Sequence, residues 1–597
     1  MEVIKNGLEG IGKFFSGIYE SITLVFSATN NTELIYTAIA RWVFIALAVF
    51  VLLKAILSLL KTKNPAEVWA YLNLGEGENI PLTHWENVIG RAKNCDIQLD
   101  DPRVSRNHGT LSRDNKGNWH YTDLGSKNGA LINGQKIVAT KPYHIEPGDT
   151  ISIGLTHCTL FPISIEERRN NIALRAEDTK LYSAWPSLIA LTLFQLMTVI
   201  QLKFALGESF VNSIAVSFLG ICALMWGYVI FLRTMRRKGF EVETIAFFLS
   251  TLSLAVTAAK YPDSVFKQFA AIAIGVVLFF FMCAFLRNLE RTKAIRKFMY
   301  GAAIILLIFN LIFATTKFGA ANWVVIGGIS FQPSEIVKLA FIWVGAASLD
   351  ELFDKKSNMI FMIFSGFCFC CLALMGDFGT AIIFFVSFLV ISFLRSGDFT
   401  KLILIIGVAF VGGLMVLRFK SYIAERFAAW GHVWEFADTT GYQQTRTMTA
   451  AASGGLVGVG SGKGWLTDVP ASETDLVFGL LIEEWGLIIA VLAVLSIITL
   501  SIFAFRSIWA GRSTYYTIAA CSAMSMFLFQ TILNVFGSVD LFPLTGVTFP
   551  FVSNGGTSMV VSWGLLAFLK TADTRQNASF AISLSDKGLK LDDGGDD

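Results

Sequence analysis

Apolar runs of about 20 residues recur along the chain from Ile35 to Leu569, each long enough to cross roughly 30 Å of hydrocarbon. One run, about 35–60, comes first and ends in "KTKNP". A polar stretch of about 100 residues follows it. Then about twelve more runs appear, near 182–205, 210–232, 243–260, 267–286, 299–316, 333–349, 358–376, 378–394, 401–417, 476–505, 514–537 and 549–569. The 597 residues are 54% hydrophobic and 16% charged, more apolar and less charged than a soluble domain. The expected class is a polytopic all-α membrane protein carrying one inserted polar domain.

The formal net charge of +3 is too small to argue for nucleic acid, so the position of the charges matters more than their sum. The connections "RTMRRKG", "RNLERTKAIRK", "DKKS", "RSGDFTK", "RSIWAGR" and "LKTADTR" hold most of the Lys and Arg. The intervening "LGES", "KYPD" and "TTKFGAAN" hold few. The positive-inside rule places the first set, the polar domain and the C-terminal tail in the cytoplasm, with the long loop from about Arg418 to Thr474 outside. The eight cysteines include Cys368, Cys370 and Cys371 inside an apolar run, a spacing that suits core packing better than disulfides or zinc. Met1 to Ser27 lacks the basic start and apolar block of a cleavable signal, and its two-faced pattern fits a helix lying in the membrane interface. The tail "SLSDKGLKLDDGGDD" is acidic and Gly-rich, as in a disordered end.

The polar domain alternates with a period of two between Gly/Asn turns, in "NVIGRAKNCDIQLDD", "HGTLSRD", "NWHYTDL", "GALINGQKI" and "DTISIG". That pattern predicts a β-sandwich. On its turns fall "GR" (Gly90, Arg91), "SRNH" (Ser105 to His108), "GSKNG" (Gly125 to Gly129) and "NG" (Asn133, Gly134). In this order, over about 80–162, the four motifs resemble the forkhead-associated (FHA) family. The resemblance implies a phosphothreonine-binding module in which Arg91 and Ser105 meet the phosphate, with Arg106 and Lys127 nearby. It further implies that Asn128 holds the peptide backbone and His108 braces the loop. A phosphothreonine carries about −1.5 to −2 charge, which a guanidinium and a hydroxyl answer well. For the glycines, turn-making alone is a sufficient reading. His84, His120, His144 and His157 have no metal-ligand spacing.

The later half carries polar motifs at the ends of its apolar runs. "FQPSEIVKLAF" opens a helix with Pro333 in its first turn and with Glu335 and Lys338 on one face. "GDFGTAIIFF" places Asp377 between two runs, and "GYQQTRTMTAAASGGLVGVGSGKG" is a Gly-rich loop. "DVPASETDLVFGLLIEEWG" puts Asp475 at the lip of a run that also holds Glu483 and Glu484. A carboxylate so close to lipid is costly and marks a functional position. "FPLTGVTFPFVSNGGTSMVVSWGLLAFL" contains Ser553, Asn554, Gly555, Gly556 and Thr557, a tight break with close helix packing.

In this order the boxes look like the SEDS (shape, elongation, division and sporulation) family of FtsW, RodA and SpoVE, over about 243–571. The resemblance implies a ten-helix core, to which this chain adds about three helices and the inserted sandwich. It implies polymerisation of peptidoglycan glycan strands from lipid II, a class B penicillin-binding protein as transpeptidase partner, and location in the bacterial cytoplasmic membrane. Asp475 would be the catalytic base. Glu335, Lys338, Asp377, Arg426, Ser553, Gly555, Gly556 and Thr557 would meet substrate, and a divalent cation (Mg or Mn) at an unidentified position would assist the leaving diphosphate. Simpler readings stand beside these: a helix cap for Asp475, a sealing ion pair for Glu335 and Lys338, a helix end for Asp377, and structural roles for Glu483 and Glu484.

The chain departs from the family pattern at Ala471, Glu473, Met375–Gly376, Arg446 and Asn554. The expected organisation is a one-helix segment 1–66, the FHA sandwich 67–165, two extra helices in 166–240, the glycosyltransferase core 241–572 and the tail 573–597. Two other function classes fit parts of the pattern, a lipid II flippase and a membrane-anchored phosphothreonine scaffold. Acids and Gly-rich loops concentrated on the outer side favour the enzyme.

Overall fold

The structure is a computed structural model. It describes residues 32–575 apart from 63–65, 76–78, 94, 115–116, 165, 168–169, 172–173, 175–182, 318–319, 328, 350–354, 397–398, 420 and 510–512. The expected interfacial segment 1–27 and nearly all of the acidic tail lie outside the described residues.

A long helix, α1 (Thr32–Lys61), leads into eleven short strands: β1 (Ala70–Asn73), β2 (Asn79–Leu82), β3 (Glu86–Gly90), β4 (Ile97–Gln98), β5 (Gly109–Arg113), β6 (Trp119–Asp123), β7 (Leu131–Ile132), β8 (Gln135–Lys136), β9 (Pro142–Ile145), β10 (Thr150–Ile153) and β11 (Thr156–Pro162). They form a six-stranded sheet ordered β2-β1-β11-β10-β7-β8 and a five-stranded sheet ordered β4-β3-β5-β6-β9. Alternate residues face inward, so Leu72, Ile89, Leu111, Tyr121, Ile151 and Leu160 make one dry core separate from that of the helices.

The chain then enters α2 (Trp185–Leu206), α3 (Asn212–Thr234), α4 (Glu241–Lys260), α5 (Val265–Leu286) and α6 (Arg296–Phe313). It continues through β12 (Thr315–Lys317), β13 (Ala320–Ile326) and β14 (Ile329–Phe331) to α7 (Pro333–Leu349), α8 (Lys355–Met375), α9 (Phe378–Ser396) and α10 (Phe399–Phe419). The last elements are α11 (Ser421–Ala429), α12 (Tyr442–Gly454), α13 (Val477–Trp509), α14 (Thr514–Ser538) and α15 (Gly556–Thr571). Among the described residues ten helices are long and apolar enough to cross a membrane. The expected class, a helical membrane bundle with an inserted sandwich, is thereby borne out.

Four stretches differ from the sequence reading. The connection "TTKFGAAN" is not a plain loop, because β12, β13 and β14 pair antiparallel into a small sheet. The loop 418–474, expected outside, is partly helical, in α11 and α12. The final helix begins at Gly556 and not near 549, because the apolar residues Phe549 to Val552 turn back on themselves, Phe551 adopting φ 62°. Finally, α13 is broken at Gly486, which has φ 86°. The chain at 455–460 fills that break: Val459 and Gly460 donate to the carbonyls of Glu483 and Glu484, and Leu487 donates to that of Gly455, each at 2.9 Å. A Cβ on Gly486 would stand 2.3 Å from the Leu456 carbonyl oxygen, so the close approach requires glycine.

The added helices pack on one face of the core. Phe44 of α1 and Phe194 of α2 meet Trp485 of α13 at ring separations of 5.0 and 5.4 Å, and Phe194 also meets Phe248 of α4 at 5.7 Å. With these neighbours α4 is almost wholly buried. The sandwich touches the bundle through Glu86 of β3, which accepts from the Thr514 hydroxyl at 3.0 Å. Thr514 opens α14, and Asn534 lies 20 residues further along that helix, roughly 30 Å away at 1.5 Å per residue. Asn534 marks the other end of the bundle, where the polar boxes gather.

Candidate active site

Asp475 sits in the turn before α13 and not inside the helix. The turn is tight: the Ala471 carbonyl accepts from the backbone N–H of Thr474, Asp475 and Leu476 at 3.0 to 3.3 Å, and Ala471 itself adopts φ 61°. A non-glycine residue in that region is uncommon and persists only where its surroundings hold it. Those surroundings are hydrogen bonds from distant boxes. Asn534 donates to the carbonyls of Asp475 (3.0 Å) and Val547 (2.8 Å). The Ser553 hydroxyl donates to the Thr474 carbonyl at 2.6 Å, and the Asn554 N–H donates to that of Glu473 at 2.8 Å. From α12, Gln443 donates to the Pro470 carbonyl at 2.9 Å.

Lys260, the last residue of α4, completes the frame. Its ammonium donates to the Val469 carbonyl (2.7 Å) and the Ser472 hydroxyl (2.9 Å), and stands 2.8 Å from the Glu473 carboxylate. The Asp475 carboxylate thus lies in a fixed loop beside Gly546, where an added Cβ would be 3.4 Å from its Oδ2. Burial pushes its pKa up to about 6. The Thr474 hydroxyl and the Arg426 charge oppose that rise, whereas Glu473 and Asp377 add to it. A carboxyl poised near neutrality, at a rim, can accept a proton from a hydroxyl.

Asp377 lies on the same side. Its Oδ2 accepts from Gln332 (3.0 Å) and Asn322 (3.2 Å), and its Oδ1 accepts from the Thr380 N–H at 3.2 Å, capping α9. Thr557 accepts from the Gln332 N–H at 3.3 Å, which ties α15 to the start of α7. Arg426 of α11 donates to the Leu544 carbonyl at 3.0 Å. Gly555 is the cap before α15 and Gly556 its first residue.

Glu335 and Lys338 lie deeper, paired at 2.6 Å with side-chain exposures of 7% and 1%. Lys338 also donates to Gln530 (3.2 Å), whose amide donates to both oxygens of Thr548 at 2.9 Å. This is a satisfied buried network, not an open cation. Glu483 and Glu484 serve the Gly-rich loop instead: Glu483 accepts from the N–H groups of Trp465 and Leu466 at 3.0 Å, and Ser461 donates to Glu484 at 3.5 Å.

Reading the sequence missed Lys260, Gln332, Gln530 and Asn534. Gln530 and Asn534, one helical turn apart in an apolar run, are a legible signal of a polar face. Lys260, in an otherwise cation-poor connection, is another.

On the sandwich, Arg91, Arg106, Lys127 and Asn128 are exposed, on loops held together by short bonds. The Arg91 N–H donates to the Ser105 carbonyl and the Lys127 N–H to the Ser105 hydroxyl, both at 3.0 Å. Asn128 donates to the Arg103 carbonyl at 2.7 Å. His108 is wholly buried; its Nδ1 accepts from the Ser105 N–H (3.2 Å), which leaves Nε2–H to donate to the Gly129 carbonyl (3.1 Å). Burial lowers its pKa, so the bracing ring stays neutral.

Comparison with known proteins identifies two families in the chain. Residues 241–578 match the model of the FtsW/RodA/SpoVE family, described as cell cycle proteins, and residues 87–154 match that of the FHA domain. The Escherichia coli O6:H1 protein named "Probable peptidoglycan glycosyltransferase FtsW" is 30% identical over 276 residues, 44% of this chain and 66% of that protein. The Borreliella burgdorferi protein of the same name is 28% identical over 335 residues, 54% of this chain and 90% of that protein. The solved structure of Thermus thermophilus RodA shares 21% identity at a TM-score of 0.42, covering 57% of this chain and 97% of that one. With the family match spanning more than half its length, the chain belongs to the FtsW/RodA/SpoVE family, as a multi-pass membrane protein with an FHA domain inserted ahead of the family core.

Proposed function

We propose that this protein polymerises lipid II into peptidoglycan glycan strands, with Asp475 as the base. The observation that carries the reading is the convergence of four separated parts of the chain, at Lys260, Gln443, Asn534 and Ser553–Asn554, on the Asp475 turn, which fixes a carboxyl of pKa about 6 at the end of the bundle remote from the FHA domain. In the reaction Asp475 takes the proton of an acceptor sugar hydroxyl as its oxygen attacks the donor's anomeric carbon. The bond from that carbon to the lipid diphosphate breaks, and the diphosphate leaves with the electron pair. Arg426, whose charge acts on Asp475, is the cation placed to meet it.

Among the described residues no cluster of three or more His, Cys, Asp or Glu is arranged to hold a metal ion. A divalent cation fits in the way Mg²⁺ usually binds, through one or two carboxylates plus substrate phosphates, and Asp377 and Asp475 are the carboxylates that would hold it. When bound it would offset charge on the departing diphosphate. Glu335 and Lys338 act here as scaffold beneath the site. The charge pattern of the connections supports placing Asp475 outside and the FHA domain in the cytoplasm. A class B penicillin-binding protein would cross-link the product. Purified full-length protein incubated with lipid II and Mg²⁺ should yield a ladder of glycan polymer on a gel; intact lipid II in every lane would reject the reading.

The FHA loops would recruit a phosphothreonine protein on the cytoplasmic side. Arg91→Ala should weaken binding of a phosphothreonine peptide by about ten- to a hundred-fold, the loss of one charge-assisted contact. The same change should leave polymerisation by the purified protein unchanged. Calorimetry with phosphorylated and plain peptides measures the first effect.

A further inference from the structure

We infer that the added helices α1 and α2 form a clamp that seats the Gly-rich loop 455–464 in the break of α13, and so orients the half-helix behind the Asp475 turn. The inference rests on the reading of Asp475 as the base. The break at Gly486 leaves Val477 to Trp485 as a short separate piece of α13, with the Asp475 turn directly ahead of it. A helix interrupted in this way has no continuous backbone ladder to fix the angle between its halves. The loop supplies the missing bonds, from Val459 and Gly460 to the carbonyls of Glu483 and Glu484 and from Leu487 to that of Gly455. Glu483 returns the contact by accepting from the Trp465 and Leu466 N–H groups. Leu466 also lies against Gly479 of the short piece, where a Cβ would be 3.5 Å from its Cδ2. Loop, short helix and turn are therefore one unit.

That unit is held from its other side by residues that precede the family core at 241–578. The Lys463 ammonium stands 2.7 Å from the Glu33 carboxylate of α1 and 3.5 Å from the Thr37 hydroxyl. Little space is left at the two glycines that meet the helices. A Cβ on Gly460 would be 3.0 Å from both Thr37 Cγ2 of α1 and Gln201 Nε2 of α2, and one on Gly462 would be 3.1 Å from Ala205 Cβ. Phe44 of α1 and Phe194 of α2 pack on Trp485, the last residue before the break. The two helices thus touch both the loop and the end of the short piece. Tyr36 of α1 joins them to each other, donating to the Met197 carbonyl of α2 at 2.7 Å.

Packing and charge contribute differently to the clamp. The close approach at Gly460 and Gly462 sets where the loop sits, so a wedge on α2 displaces the loop and the short helix with it. Ala205→Leu supplies that wedge from a residue remote in sequence from the Asp475 turn. A misplacement of about 1 Å at a reacting group costs up to a hundred-fold, so Ala205→Leu should lower kcat for lipid II polymerisation by roughly ten- to a hundred-fold. KM for lipid II should change by less than about two-fold, because Asp377 and Arg426 belong to other elements. The same variant should speed hydrogen exchange of the Val459 and Gly460 N–H groups, whose bonds to α13 it loosens. The Lys463–Glu33 pair is partly exposed, at 24% and 39%, and contributes less. Lys463→Met should speed the same exchange by up to about five-fold, and Glu33→Lys with Lys463→Glu should restore it.

The test combines steady-state polymerisation kinetics with hydrogen exchange on the full-length protein in detergent. Leu196→Phe, an enlargement at an exposed position of the same helix, is the control and should leave both readouts at wild type. Faster exchange at 459–460 together with a kcat loss in Ala205→Leu, and neither in Leu196→Phe, supports the clamp. A folded Ala205→Leu protein with either readout unchanged, or an equal kcat loss in Leu196→Phe, overturns it. Should Ala205→Leu fail to fold, Lys463→Met decides: faster exchange restored by the charge swap supports the clamp, and wild-type exchange overturns it. Full activity in Asp475→Asn would reject the base assignment itself, while the exchange comparison would still judge the seating of the loop.

Discussion

Asp475→Asn should lower glycan polymerisation by roughly 10²- to 10⁴-fold, the usual contribution of a general base, while the protein still folds and inserts. Stability should survive because the turn is held by backbone carbonyls and neighbouring side chains. Asn534, Ser553 and Asn554 all bond to main-chain atoms of residues 473–475, and none of those bonds needs the Asp475 carboxylate. Asn is nearly isosteric and can still receive the Thr474 hydroxyl. The variant therefore separates chemistry from architecture. A purified Asp475→Asn protein that melts like wild type and polymerises lipid II at a comparable rate would remove Asp475 from the mechanism.

A second large effect is expected at Lys338, and it is one of stability. Lys338→Met leaves the Glu335 carboxylate buried without its cation, a change that costs about 3–5 kcal/mol when a buried pair loses one partner. Gln530 also loses a donor, which loosens its hold on Thr548 and so on the segment after α14. Replacing both charges, Lys338→Met with Glu335→Gln, should recover most of the lost stability, because neither residue is then a stranded ion. Thermal melts of the single and double variants in detergent read this directly. Activity recovered with stability fits the scaffold role. A double variant that is stable yet inactive would show that Lys338 also meets the substrate.

The order of elements was legible because lipid imposes a length and a composition on every crossing segment. The runs near 333–349 and 514–537 reappear almost to the residue, where Pro333 opens α7 and Ser513 caps α14. The break at Gly486 was not legible. Trp485, Leu487 and Ile488 keep the run apolar across it, and the carbonyls freed there are satisfied by the 455–460 segment, a partner no local pattern announces. The start of α15 was misjudged for the same reason: Phe549, Phe551 and Val552 are as apolar as a helix but pack as a turn.

At the site, the charge-bearing residues could be named from sequence because a carboxylate or lysine at a membrane rim is conspicuous. Their division of labour could not. Glu335 and Lys338 lie on one helical face whether they seal a core or meet a substrate; only burial and the bonds to Gln530 and Thr548 separate the two. Asn534 and Lys260 escaped notice because their work is done on backbone carbonyls, which every residue possesses and no motif records.

Lipid II is expected to be polymerised at the end of the bundle opposite the FHA domain. Proteoliposomes with lipid II confined to one leaflet test it most directly, the orientation of the protein being read from protease access to the FHA domain. Glycan polymer should form when lipid II occupies the leaflet opposite that domain, and Asp475→Asn should prevent it. Lipid II that changes leaflet without polymerising, or polymer formed only on the FHA side, would rule out polymerisation at the Asp475 end.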